Sequence, residues 1–370
     1  MLEPALDRHP HARAVLGGAV TDASKASHAY LFHGPAGAGK RAAATAFAAQ
    51  LLARTGDDIA PIARRVTDRV HPDCTWVAPS GAALMIRSDI DAPVVSAATR
   101  TPFEAERRVF VIERADTMND EAANRLLKTL EEPASFVHLI LLTDRPAAML
   151  ETIVSRCQPV RFEAPTKAEI AELLQTRGIP PDTADACAGL SLGDGELALR
   201  LALGDGEVVR AAAQRFSRAV IAGQLNAAQT AILVEQAAED EKRAIDAAVA
   251  RFEAEAEVLG ERERKRHVRD GETAAKRAGR RAKTQTIDDG LRLISLWLRD
   301  VAVHADGEPG LIRNSDRAEL IAADAELVDP ARARAAVAVV EESRTTLVLN
   351  PSEELLLDAL ASRVERILNG

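Results

Sequence analysis

Cysteine is scarce. The 370-residue chain has three, Cys74, Cys157 and Cys187, far apart and without a C-x-x-C pair. They offer no disulfide framework, and a reducing compartment is the default. Aromatic residues make up only 3%, which excludes the stacking of bases on aromatic side chains as a main binding mode. A surplus of positive charge is missing as well. Lys and Arg number 47 against 56 Asp and Glu, for a net charge of −9. That excludes a protein that coats DNA nonspecifically, though not one with a local basic face. No apolar run is long enough to cross a membrane, and the N-terminal MLEPALDRHPH has no apolar core for a signal peptide. The expectation is a cytoplasmic protein with no membrane partner.

What is present is an ordinary globular composition, 47% hydrophobic and 28% charged, in a chain long enough for two or three domains. Its organising stretch is LFHGPAGAGKR at residues 31–41. Gly34, Gly39 and Lys40 fit the G-x-x-x-x-G-K part of a phosphate-binding loop, with Gly37 between them. An apolar run at 30–33 leads in as a strand, and an alanine-rich run with Phe47, Leu51 and Leu52 leads out as a helix. In that context glycines let backbone N–H groups turn toward a phosphate, and the helix N-terminus adds positive potential. The next position calls for the Ser or Thr hydroxyl that holds magnesium. Here it is Arg41, whose guanidinium has donors only and cannot ligate a cation. The loop is expected to keep phosphate-binding groups and to lose its metal chemistry; Arg41 itself could stand in for a cation.

Further strands are expected at 74–78, 109–112, 139–143 and 160–162, alternating with helices, which implies a parallel sheet covered on both faces. A lead-in helix before residue 29 should end at Gly17-Gly18, and 54–69 reads as a polar connection. A turn is expected at Pro79-Ser80-Gly81. Asn119 should cap the helix that carries Ala122, Leu126 and Leu130. The character changes at Ala164-Pro165. Thr166 with Glu169 forms a capping box, two more short helices follow, and no strand is expected beyond residue 204. Charged residues dominate 235–285, with a basic cluster from Arg262 through Lys283 interrupted by Gly271 and Gly279. An amphipathic helix is expected at 291–303, and a last one opening at Asn350-Pro351. The fold class is an α/β P-loop domain with a parallel sheet (1–164), then a small helical lid (165–204), then an all-helical collar (205–370) with a charged insertion at about 235–285.

Two positions bear on chemistry. A hydrolysing P-loop domain needs an Asp for magnesium after an apolar strand, often with a Glu to activate water. After Ile112 stand Glu113 and Arg114, and arginine cannot act as a base. Arg41, Glu113 and Arg114 therefore depart together, and no ATPase activity is expected of the isolated chain. The second position is Ser155-Arg156-Cys157. By spacing alone, Arg156 is either one half of a surface ion pair or a finger that reaches a neighbour's γ-phosphate.

HAYLFHGPAGAGK (28–40), HPD (71–73), NRLLKTLEEP (124–133) and SRC (155–157), in this order, resemble a bacterial clamp-loader subunit of the AAA+ class, and the damaged loop with an intact SRC resembles the delta-prime branch of that family. The resemblance implies a non-catalytic, stator-like subunit of the DNA polymerase III holoenzyme. Arg156 would be an arginine finger offered in trans, framed by Ser155 and Cys157, and Gly34, Gly37, Gly39 and Lys40 a degenerate nucleotide loop. Implied partners are motor (gamma/tau-like) and delta subunits, the sliding clamp, and primed DNA through the complex. Nucleotide, if held, would not be hydrolysed. Many relatives carry a four-cysteine zinc module before HPD; 54–70 contains no cysteine, and no zinc is expected. The lid's nucleotide-sensing Arg is not evident: Glu196 and Leu197 stand there, and Arg200 is about one turn late. The alternatives are an active motor subunit, or a nucleic-acid-binding protein using the cluster at 262–283.

Overall fold

The structure is a computed structural model that describes residues 5–21, 26–79, 84–256, 261–347 and 351–370; the side chains of 227, 228, 255, 261–267, 269 and 270 lie outside the description. The chain divides into two compact units, Met1–Pro165 and Thr166–Gly370.

The first unit is built on five parallel strands, β1 (Ala29–His33), β2 (Cys74–Val77), β3 (Arg108–Ile112), β4 (Val137–Thr143) and β5 (Gln158–Arg161), in the order β2-β3-β4-β1-β5. Apolar runs make the central strands, because a sheet covered on both faces offers no solvent side for alternate residues. All seven residues of β4 are buried. Alternate side chains serve two separate cores. Tyr30, Phe32, Val109, Val111, Ile140 and Leu142 pack on one face under α1 (Pro10–Thr21) and α2 (Lys40–Leu52). Leu31, Phe110, Ile112, Leu139 and Leu141 pack on the other under α4 (Arg87–Ile90), its π-helical continuation Asp91–Ser96, and α5 (Asp120–Glu131). Asn119 caps α5 as expected, its side chain accepting from Ala122 N–H at 2.9 Å.

Two expectations are corrected here. Helix α1 does not stop at Gly17-Gly18 but runs to Thr21. The buried face formed by Ala12, Leu16 and Ala19 outweighs the ~1 kcal/mol propensity penalty of each glycine. The polar connection contains α3 (Ile59–Thr67), capped by Asp58 and docked through Ala63 and Val66; its arginines merely face outward. Small boundary shifts also occur, with β4 opening at Val137 and β5 ending at Arg161 rather than Phe162.

The second unit is helical. Helix α7 (Lys167–Thr176) opens with the expected Thr166–Glu169 capping box, followed by α8 (Pro181–Leu190), α9 (Gly195–Ala202) and α10 (Gly206–Ile221). Two long helices come next, α11 (Ala227–Ala256) and α12 (Glu261–Ala305), then α13 (Ala318–Ala325), α14 (Pro330–Thr346) and α15 (Glu353–Asn369). One apolar cluster runs from Ile170 to Leu368, so the helices of 165–204 share a core with those that follow. The segment at 291–303 is not a separate helix but the end of α12, whose 45 residues also carry the basic cluster. The side chains of Arg262, Arg264, Lys265 and Arg266 lie outside the described ones, as do Ser80-Gly81 and Asn350. The last helix takes Ser352 as its N-cap.

Gly271 and Gly279, which interrupt the run of basic residues, lie inside α12 and let α11 and α12 approach. A Cβ on Gly271 would lie 2.7 Å from Phe252, on Gly279 2.5 Å from Ile245 and 2.9 Å from the Glu241 carbonyl, and on Gly290 2.6 Å from Leu233. The partner number falls as the glycine number rises, which defines an antiparallel pair. Gly279→Ala is therefore expected to destabilise the chain by ~1–3 kcal/mol. Gly17→Ala, where nothing lies within 4 Å of the new methyl, should stabilise it by up to ~1 kcal/mol. Denaturant unfolding of the two variants checks the opposite signs.

Strand β4 also buries a titratable group. The His138 imidazole donates from Nδ1 to Ser27 O at 2.9 Å and stacks on His28 at 5.6 Å. Burial pushes its pKa from 6.5 down to about 4. Between those values the unfolded chain binds a proton that the folded chain refuses. Stability should be full above pH 6.5, decline as the pH falls, and be lower by ~3 kcal/mol once below about pH 4. His138→Gln should remove that part of the slope in unfolding curves measured across this range.

Candidate functional site

The loop, Glu113 and Asp144 gather at the carboxyl ends of β1, β3 and β4, where parallel sheets place their ligand sites. Gly34 follows β1 with φ 147°, and a Cβ there would lie 2.2 Å from the Phe162 carbonyl, so a side chain is excluded. Gly37 and Gly39 have φ 71° and 85°, and Gly39 delivers the chain into α2 as its N-cap. His9 closes over this turn, its ring 4.8 Å from Phe162 and its Nδ1 accepting the Glu163 N–H at 3.2 Å.

Lys40 is buried, and its ammonium is fully engaged within the chain. Nζ donates to Gly34 O at 2.6 Å and Pro35 O at 2.5 Å, and pairs with Asp144 Oδ1 at 2.6 Å. An ammonium has three donors, and each has an acceptor here.

Arg41 reaches across the site. Its NH2 lies 2.9 Å from Glu113 Oε2, while Arg69 NH2 lies 3.1 Å from Glu113 Oε1. The residue at the hydroxyl position of the loop is thus ion-paired to the residue at the carboxylate position after β3. Glu113 is buried at 7% exposure, where an unpaired carboxylate would be costly. Two guanidiniums balance its charge. Arg114 follows in the left-handed region at φ 53° and turns the chain into Ala115–Thr117. Asp116 accepts from Arg145 Nε and NH2 at 3.0 and 2.8 Å and from Thr143 Oγ1 at 3.0 Å, so this carboxylate too is committed within the chain.

In the HPD motif, Asp73 is fully buried and accepts three consecutive backbone N–H groups, from Phe103, Glu104 and Ala105, at 2.6, 2.8 and 2.9 Å. Burial pushes its carboxyl up, but the three amides and His71 outweigh that and hold it below the usual carboxylate range. Its role is to shape the loop that enters β3.

Ser155-Arg156-Cys157 lies between α6 (Glu151–Val154) and β5. Cys157 is buried beside Ile153 and Leu130, and burial pushes its thiol up to about 12, so it packs rather than reacts. Ser155 Oγ donates to Thr152 O at 3.3 Å. Arg156 stays at the surface, its NH2 2.7 Å from Glu131 Oε1 and its NH1 donating to Thr152 O at 2.9 Å. In the second unit, Arg200 is engaged by Asp289 through Nε and NH2 at 2.7 and 2.9 Å.

Sequence reasoning missed Asp144, Arg69, His9 and Glu131. Asp144 carried a usable signal, being the first residue past the strand that holds the apolar run LILL. Arg69 and His9 carried none, since each arrives from a distant segment.

A five-stranded parallel sheet with a P-loop after β1, followed by a helical unit, defines the class of the chain as an AAA+-type P-loop protein. Residues 14–166 match the family described as DNA polymerase III, delta subunit. DNA polymerase III subunit delta' of Pseudomonas aeruginosa is 38% identical over 165 residues, covering 43% of this chain and 50% of that protein. Subunit delta' of Bacillus subtilis is 32% identical over 169 residues, covering 45% and 51%. DNA polymerase III subunit gamma/tau of Mycobacterium bovis is 30% identical over 188 residues, covering 47% and 31%. The alignment with the two delta-prime proteins spans about half their length. Over its N-terminal unit, the chain is similar to delta-prime subunits of DNA polymerase III.

The Arg41–Glu113 pair generates a direct test. Arg41→Thr restores the missing hydroxyl and frees Glu113 from one cation. Titration calorimetry with ATP should then show affinity that rises on adding magnesium, whereas the parent chain should respond to magnesium little or not at all.

Proposed function

We propose that this chain is the stator-like delta-prime subunit of a bacterial clamp loader, acting in the cytoplasm beside motor (gamma/tau-like) and delta subunits. It leaves hydrolysis to its neighbour and completes that neighbour's ATP site with Arg156, in a complex that places a sliding clamp on primed DNA. On this reading residues 165–204 act as lid and 205–370 as collar, and neither zinc nor a hydrolysable nucleotide is needed by this chain.

The observation that carries the reading is the Arg41–Glu113 ion pair. It joins the two positions a hydrolysing loop would use for magnesium, and it accompanies an Arg156 left near the surface. Loss of the cis machinery together with retention of a trans cation is the division of labour expected of a subunit that serves another's site.

The test is Arg156→Ala in a loader reconstituted with motor and delta subunits. The complex should still co-elute on gel filtration, while turnover at the adjoining site falls by about 10³-fold or more. Steady turnover by the isolated parent chain, or unchanged turnover in the variant complex, would refute the proposal.

A further inference from the structure

Arg156 does not project freely from its domain. Its two terminal nitrogens are taken by Glu131, the last residue of α5, and by the Thr152 carbonyl in α6. The seam beneath is fixed, because Leu130, Ile153 and Cys157 are buried in one cluster. The seam therefore holds the carboxylate and the arginine side by side. Above it both charges meet solvent, the side chains being 38% and 48% exposed.

An ion pair in that setting is weak and screened by salt. A phosphate is a stronger partner for guanidinium, since it carries more charge and can accept two parallel hydrogen bonds where Glu131 here takes only one terminal nitrogen. The arginine therefore has two competing acceptors, one inside its own domain and one that arrives with a neighbour. We infer that Glu131 is a positioning residue that parks Arg156 against its own domain until a neighbouring subunit's nucleotide phosphates draw it away. The inference rests on the reading of Arg156 as a finger. Parking lowers the fraction of chains whose finger is available, and the apparent affinity of the adjoining site falls by the same factor.

The test uses the loader reconstituted from this chain with motor and delta subunits, and reads the part of the MgATP turnover that Arg156→Ala removes, which reports the site beside this chain. Glu131→Gln keeps the shape and removes the charge. It should lower KM for MgATP by about 2- to 5-fold at low ionic strength with kcat unchanged. The difference from the parent should vanish as salt is raised. Glu131→Asp, which keeps the charge, should stay near the parent and guards against a fold defect in the first variant. A KM unchanged at every salt concentration would overturn the parking role. So would a fall in kcat at constant KM, which would mean that the carboxylate orients the finger in the transition state. Arg156→Ala separates the two layers. If it removes part of the turnover while Glu131→Gln behaves as the parent, only the parking role fails; if it has no effect, the finger reading fails and parking with it.

Discussion

Two guanidiniums, those of Arg41 and Arg69, balance the charge of one enclosed carboxylate, Glu113. Glu113 lies at the end of β3, almost fully enclosed, and a carboxylate in that position needs a cation. In a hydrolysing loop the need is met by magnesium, shared among a hydroxyl, the carboxylate and the phosphates. Here Arg41 meets it from the loop side and Arg69 from the turn between α3 and β2. The same logic applies at Lys40, whose ammonium is satisfied by Asp144 and two loop carbonyls. The charges at the strand ends are paired among themselves. The phosphate loop keeps its backbone geometry, with three glycines at positive φ, while its electrostatics are closed inward.

Arg156 follows the opposite rule. Its partner is a carboxylate at the surface, not a buried one, and the pair lies over a seam of apolar side chains. Depth separates the two arginines' roles. Arg41 serves a carboxylate that has little access to water and is costly to leave unpaired, so the bond is structural. Arg156 serves one that water can solvate, so little is lost when the bond opens. Both are Arg–Glu pairs, and the surroundings alone make one a fixture and the other exchangeable.

Much of the first unit could be read before any coordinates. The run VFVI and the strand–loop–helix around Lys40 announce a parallel sheet, because only a doubly covered strand tolerates continuous apolar residues. Asn119 and Thr166–Glu169 are local caps and were legible as such. Gly17-Gly18 was read as a helix end because glycine lowers helix propensity, yet packing decides helices in a folded chain. At Gly279 the missing side chain is the reason two helices can meet. Helix α3 was hidden because its outer face is charged and only Ala63 and Val66 are buried, with Ile62 half-buried against the core.

The sequence by itself determined which groups are present and which are missing. It showed a loop with its lysine and without its hydroxyl, an arginine where a base should stand, and an SRC motif left whole, because these are matters of residue type at fixed spacing. Only the tertiary structure decided what those groups do with their charges. That Arg41 ends on Glu113, 72 residues on, that Asp144 holds Lys40, and that Glu131 holds Arg156 follow from strand order and helix docking. Distance through space governs electrostatic pairing, and sequence separation carries no record of it.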